Sequence, residues 1–292
     1  MGGTAIKGVR LGDDGDILDT AEDPTTPDDP EMLVQTIVSQ ARRLGVEPGV
    51  PLGVAVAAFL DPRRRVVQFS PNISWANRNL AQELDDALGV SVVLENDANA
   101  ACYGEYRQGA GQTATALAMI TLGTGVGGAV MESGRLLVGA DGIAGELGHI
   151  PIVPSGRICG CGLSGCLETV ASGTAIVTRV RELTGSSMAT PDDVTGMLFA
   201  NGDLRDDVFA DVADALAQAI LTLRAISNPD TVVIGGGVID RSGSLLIDMI
   251  SHRVEDRLRG VSVPATPRVL GATLGNRAGG IGAALLARNP RV

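Results

Sequence analysis

Ser91-Val-Val-Leu-Glu-Asn-Asp-Ala-Asn-Ala-Ala-Cys102 passes from an apolar run, through a polar strand end, into a run of small residues. Ser91 to Leu94 has the aliphatic and β-branched character of a strand. Glu95, Asn96, Asp97 and Asn99 then crowd polar side chains onto its end, and the spacing predicts a helix from Asp97 to about Gln108. The same order recurs later, where the short apolar strand Thr231 to Ile234 ends in Gly235-Gly236-Gly237 and a helix follows over about 243–258. Strand–loop–helix units with glycines at strand ends predict an α/β fold, with ligands bound outside the carboxyl ends of the strands.

Outward from these units, Met1 to Leu11 and Ile17 to Thr20 flank the turn Gly12-Asp13-Asp14-Gly15, which reads as a β-hairpin. A Pro/Asp/Thr loop from Asp23 to Pro30 precedes a helix over Glu31 to Leu44, where Leu33, Ile37, Ala41 and Leu44 recur at helical spacing. Leu52 to Phe59 reads as a buried strand and Leu80 to Leu88 as a helix. The second half opens near Gly111. A strand over Thr115 to Thr121 runs into Leu122-Gly-Thr-Gly-Val-Gly-Gly128, and a further strand covers Ala129 to Leu137. Gly139 to Gly165 carries little regular structure. Helices are expected over about 172–183, 191–200, 205–227 and 278–288. The expected division is a small lobe over 1–110, joined by a C-terminal helix at about 278–292, and a large lobe over 111–277.

The chain has 292 residues, of which 45% are hydrophobic and only 2% aromatic, so its core is built from Val, Leu, Ile and Ala. Its net charge of −11 argues against nucleic acid and anionic membranes as partners, since both need clustered cations. Arg63-Arg64-Arg65 is read as a solvated turn. No run of about 18 apolar residues predicts a membrane span, and the N-terminus lacks a secretory pattern. A cytoplasmic location is the expectation.

Three of the four cysteines and one of the two histidines fall between His149 and Cys166. Cys159, Cys161 and Cys166 with His149 match a closed, four-coordinate structural zinc shell. A disulfide fits less well, because three cysteines leave one over and cytoplasmic thiols stay reduced. Cys-X-Cys also departs from the usual Cys-X-X-Cys redox motif. Cys102, in a helix, is read as a small buried residue. Asp97 suits a helix N-cap, yet the polar strand end around it equally suits a general base. Glu146 and Glu168 lie in tight turns at either side of the cysteine loop. Gly2-Gly3-Thr4, the loop from Gly123 to Gly128, and Gly235-Gly236-Gly237 are three small-residue loops whose amides could face phosphate, ribose or adenine. None is a Walker loop.

These stretches resemble the ROK family of sugar kinases and related repressors, and within it the bacterial glucokinase branch. The likeness covers nearly the whole chain. It rests on Glu95-Asn-Asp-Ala-Asn-Ala-Ala101, Gly104-Glu-Tyr-Arg-Gln-Gly-Ala-Gly111, Thr121-Leu-Gly-Thr-Gly-Val-Gly-Gly128, Gly145-Glu-Leu-Gly-His149 and Cys159-Gly-Cys-Gly-Leu-Ser-Gly-Cys-Leu-Glu168. The resemblance implies an actin-like, ribonuclease-H-like two-lobe fold with a zinc-ordered loop. It implies ATP-dependent phosphorylation of glucose, or of another hexose or N-acetylated amino sugar, with Mg²⁺ accompanying ATP and structural Zn²⁺. Asp97 would be the catalytic base. Asn72, Asn96, Asp97, Glu146, His149 and Glu168 would contact the sugar, and His149 would bind zinc through its other nitrogen. Gly3, Thr4, Thr124, Gly125, Gly236 and Gly237 would bind nucleotide. Similar kinases are homodimers or homotetramers. A repressor would need an added helix-turn-helix segment of about 60–80 basic residues. The family's first loop reads Asp-X-Gly-Gly-Thr after a strand, whereas this sequence reads Met1-Gly2-Gly3-Thr4. The intact later motifs favour a start assigned too late over an inactive chain. Ala58 stands where the family usually has glycine.

Overall fold

The structure is a computed structural model that describes residues 5–71, 73–186, 190–262 and 266–289. In chain order the elements begin with β1 (Ala5–Leu11), β2 (Ile17–Pro24), α1 (Pro30–Arg43), β3 (Leu52–Val56), β4 (Phe59–Leu60), β5 (Val67–Phe69), β6 (Ala76–Arg78), α2 (Leu80–Leu88), β7 (Val92–Asn96) and α3 (Asp97–Gln108). There follow β8 (Ala116–Leu122), β9 (Val126–Glu132), β10 (Arg135–Leu136), α4 (Glu168–Ala171), α5 (Gly173–Thr184), α6 (Pro191–Ala200) and α7 (Gly202–Ile226). The chain closes with β11 (Thr231–Gly235), α8 (Gly237–Ser242), α9 (Ser244–Leu258), β12 (Arg268–Gly271) and α10 (Ala278–Arg288). The chain divides into two compact units, one of residues 1–112, 134–145 and 276–292, the other of 113–133 and 146–275.

In the first unit the expected hairpin forms, with β1 antiparallel to β2 from Ala5 opposite Pro24 to Leu11 opposite Ile17. The second strand runs on to Pro24, into the stretch expected to be loop. Asp29 starts α1 by accepting from the Met32 amide at 2.9 Å, with Pro30 in the first turn, where its missing N–H costs nothing. β3 lies parallel to β7, with Val56 level with Asn96. β3 ends at Val56, short of the expected Phe59, because the Ala58 amide turns back onto the Val56 carbonyl at 2.8 Å. The chain then forms a three-stranded antiparallel sheet, β4-β5-β6, which the sequence did not signal. Its strands have only two or three residues, too few for a period to register.

The core of this unit is Leu33, Leu80, Leu84, Leu94 and Trp75. α10 packs against α3 at backbone distance. A side chain on Gly104 would sit 2.6 Å from the Ala278 carbonyl, and one on Gly282 would overlap that of Ala100.

The second unit holds strands in the order β9-β8-β11-β12. β8 is antiparallel to β9, while β11 runs parallel to β8 and β12. Its core gathers on α7, whose Leu216, Ala217 and Ile220 are wholly buried. The run of aliphatic and small residues in these strands is what a sheet covered on both faces requires. No helix among the described residues is long and apolar enough to cross a membrane.

Gly282→Ala is expected to lower stability by about 1–3 kcal/mol through overpacking. Gly196→Ala, whose new methyl meets open space on α6, should instead gain up to about 1 kcal/mol from helix propensity. Thermal unfolding of both variants distinguishes close packing from a general intolerance of substitution.

Candidate active site

Asn96, the last residue of β7, is the N-cap of α3. Its Oδ1 accepts from the amides of Ala98 at 2.9 Å and Asn99 at 3.2 Å, while its Nδ2 donates to the Ala58 carbonyl at 3.3 Å. The cap role considered for Asp97 therefore belongs to its neighbour, and Asp97 is the first residue of the helix. Its Oδ1 accepts from the Ala98 amide at 3.0 Å. Burial pushes the Asp97 carboxyl above the usual carboxylate range, partly offset by that amide. A carboxyl so raised accepts a proton more readily, as a general base must.

Glu95 is only 3% exposed. Its Oε1 accepts from the Asn96 amide and from Asn99 Nδ2, both at 3.0 Å, and Arg64 Nη1 lies 2.5 Å from its Oε2 as an ion pair. Burial raises the Glu95 pKa, against the opposing pull of Arg64 and Asn99. The arginine run is a turn as expected, with Arg63 exposed, but Arg64 and Arg65 turn away from solvent into ion pairs. Arg65 pairs with Asp85 at 2.5 Å, and the Asp61 carboxylate gathers the amides of Arg63, Arg65 and Val66. That turn holds Arg64 at φ 54°, a left-handed conformation costly for a side-chain residue, and aims it at Glu95. Sequence reasoning missed Arg64, since its only signal was membership of a charge run.

In the second unit the ligand atoms of His149, Cys159, Cys161 and Cys166 all lie within 4.8 Å of one another. Cys159 Sγ is 3.5 Å from His149 Nδ1, and Cys161 Sγ is 3.7 Å from Cys166 Sγ. A zinc ion bound at about 2.3 Å sets tetrahedral sulfurs about 3.8 Å apart, so the donor set fits that ion. All four cysteines are free thiols, and Cys102 is buried as expected. Burial pushes the Cys166 thiol up to about 12, whereas the Leu163 amide holds Cys161 below its usual range. His149 Nδ1 faces the thiols, leaving Nε2 as the second nitrogen. His149 ends a short 3₁₀ turn, Leu147–His149, which Glu146 precedes.

Glu168 joins this loop to the glycine-rich one. Its Oε2 accepts from the Val126 amide at 2.9 Å, and Cys159 Sγ lies 3.6 Å from its Oε1. A side chain on Gly125 would collide with the Glu168 carboxylate. The loop is fixed twice more, by the Gly173 amide on the Gly123 carbonyl at 2.8 Å and by Thr174 Oγ1 on the Thr124 carbonyl at 2.8 Å. Gly236 has φ 95°, and a side chain there would sit 2.5 Å from the Leu122 carbonyl. Thr124 and Gly237 line one cavity of about 460 Å³ with Thr174, Phe199, Val238 and Arg241. Its lining is largely apolar, with Thr124, Thr174 and Arg241 among the polar residues, a composition that suits a small organic ligand. Asn72, Gly3 and Thr4 lie outside the described residues.

A family model described as the ROK family matches residues 1–290. A glucokinase from Streptomyces coelicolor is 36% identical over 308 residues, covering 99% of this chain and 96% of that protein. An N-acetylmannosamine kinase from Escherichia coli is 30% identical over 303 residues, covering 100% of this chain and 98% of that protein. The crystal structure of a ROK family glucokinase from Streptomyces griseus, in complex with glucose and AMPPNP, is 34% identical. It superposes with a TM-score of 0.85 over 99% of this chain and 97% of that one. The fold is thus the actin-like, ribonuclease-H-like α/β architecture.

Elemental analysis of the purified protein is expected to find about one zinc per chain. Cys166→Ser should lower that content and the unfolding temperature together. A metal-free protein that unfolds unchanged would contradict a zinc-ordered loop.

Proposed function

Since the chain belongs to the ROK family, we propose that it is an ATP-dependent sugar kinase acting on the 6-hydroxyl of glucose. The observation that carries this reading is the strand end of β7, where a carboxyl raised by burial stands beside a fixed carboxamide. Asp97 accepts the proton of the sugar hydroxyl as its oxygen bonds to the γ-phosphorus of ATP, while the bond from that phosphorus to the β-phosphate oxygen breaks and ADP leaves with its electron pair. Mg²⁺ accompanying ATP would offset the phosphate charge. Asn96 and Asp97, with Asn72, Glu146, His149 and Glu168, are the proposed partners of the sugar hydroxyls, which would otherwise lose their bonds to water. Gly3, Thr4, Thr124, Gly125, Gly236 and Gly237 are the proposed nucleotide contacts.

Zinc held by His149, Cys159, Cys161 and Cys166 would have four protein ligands and no open position, so its part is to order the loop that carries Glu168. A cytoplasmic location, where such thiols stay reduced, accords with this.

The choice of glucose rests on the higher identity to glucokinases than to N-acetylmannosamine kinase. One feature bears on an alternative sugar. Ala58, whose carbonyl holds Asn96, carries a methyl where glycine is usual in the family. Turnover with ATP or polyphosphate across glucose, mannose and N-acetylmannosamine tests the assignment. Glucose is expected to give the highest kcat/KM, and preference for the N-acetylated sugar would overturn it.

Asp97→Asn is expected to lower kcat by roughly a hundredfold or more, with sugar still bound. The folded pKa of Asp97 is raised, so its ionisation opposes folding once the pH exceeds the unfolded value. The Asn variant should therefore unfold at no lower temperature than the parent near neutral pH. In the parent, kcat/KM should fall as pH drops through a value above the ordinary carboxylate range. Near-normal turnover in the variant would remove Asp97 as the base.

A further inference from the structure

Val126 opens β9 directly after the glycine loop, and both of its backbone groups meet segments that carry cysteine-loop residues. Its amide donates to Glu168 Oε2 at 2.9 Å. Its carbonyl faces Gly148, where a side chain would overlap it. Two positions on, a side chain at Gly128 would overlap that of Leu147. The residues making these contacts stand beside two members of the His/Cys cluster. Leu147 and Gly148 precede His149, and Glu168 follows Cys166 by two positions.

A second set of ties comes from the stretch that follows Glu168. The Gly173 amide donates to the Gly123 carbonyl, and Thr174 Oγ1 to the Thr124 carbonyl, both at 2.8 Å. Gly123, Thr124, Gly173 and Thr174 all line the cavity of about 460 Å³. The segments of His149 and Cys166 also pair with each other. The Leu167 amide donates to the Ile150 carbonyl at 2.9 Å, and Pro151 bridges to Cys166.

A glycine-rich loop loses much conformational freedom on ordering, so its shape must be imposed by what touches it. Here those neighbours are two segments, each continuous with a zinc ligand. A metal that binds His149 and Cys166 together fixes both segments at once. The contact of Cys159 with Glu168 cannot carry this link, because a metal-bound thiolate has no hydrogen to donate. The link runs through main chain and through the Glu168 carboxylate.

We propose that the zinc site clamps the glycine loop over residues 123–126, so that zinc occupancy and nucleotide-phosphate binding at this loop strengthen each other. The inference rests on the nucleotide part of the proposed function. Such linkage is reciprocal: the factor by which zinc tightens nucleotide binding is the factor by which nucleotide tightens zinc binding. Glu168 is the positioning residue of the link, in addition to its proposed contact with sugar.

The test is an equilibrium competition for zinc between the protein and a chromogenic chelator, with saturating Mg·ADP, with adenosine, or with neither. Mg·ADP is expected to raise the zinc affinity roughly tenfold. Adenosine, which lacks phosphate, should leave it unchanged. Calorimetry should show that zinc removal weakens Mg·ADP binding by the same factor. Glu168→Ala should still bind zinc, since Glu168 is not among the ligands, yet lose most of the Mg·ADP effect. Glu168→Gln, which retains an acceptor for the Val126 amide, should keep it. Zinc affinity that ignores Mg·ADP, when calorimetry shows the nucleotide bound, overturns the inference and leaves the kinase reading standing. Failure of the zinc-loaded protein to bind Mg·ADP at all overturns both. An equal effect of adenosine overturns the phosphate loop as the linked element. An undiminished effect in Glu168→Ala overturns the clamp, because the linkage would then run through the general stability of the fold.

Discussion

A carboxylate buried at the end of β7 organises the chemistry of the first unit. Glu95 cannot hold a charge out of water without partners, and each partner it recruits is itself placed by the need. Asn99 is oriented on the first turns of α3, the Asn96 amide is fixed, and Arg64 is brought in from a turn that strains its backbone. The rigidity of Asn96 and Asp97 follows. The residue following the carboxylate caps the helix and the next one is held at its first turn, so little freedom remains for either.

Elsewhere the molecule relies on absent side chains. Gly282 against Ala100, Gly53 against Ala283 and Gly236 against Leu122 all bring backbone onto backbone. With so few aromatic residues to fill space, the elements approach until main chains touch, and packing density comes from proximity. In the second unit the same economy lets Gly125 lie against the Glu168 carboxylate. One side chain thereby fastens a glycine loop to the cysteine loop, two segments that could not order themselves.

The strand–loop–helix order, the first hairpin, α1, α2, α3 and the gathering of His149 with three cysteines were all legible in the sequence, because each carries a period, a cap or a ligand chemistry of its own. β4, β5, β6 and β12 were not. Strands of two to four residues have no period to read, and their pairing is imposed by the turns between them. Arg64 was misread for a related reason. The charge run advertises solvent, while the fate of each arginine depends on a turn built by Asp61 and on a carboxylate 31 positions away in sequence. The cap at Asn96 rather than Asp97 was equally hidden, since either residue type suits the position and only the end of β7 decides between them.

The double duty of Asn96 narrows what chemistry that position tolerates. Asp can accept from the amides of a helix start, but its carboxylate has no hydrogen to donate to the Ala58 carbonyl, as the Asn96 carboxamide does. Gln carries the same group one methylene too far out. Hydrolysis of this one amide to an acid, an ordinary form of asparagine ageing, would keep the helix cap and cut the tie to Ala58. An aged molecule of this kind would look fully folded by its helix content, with the damage confined to the turn that leaves β3.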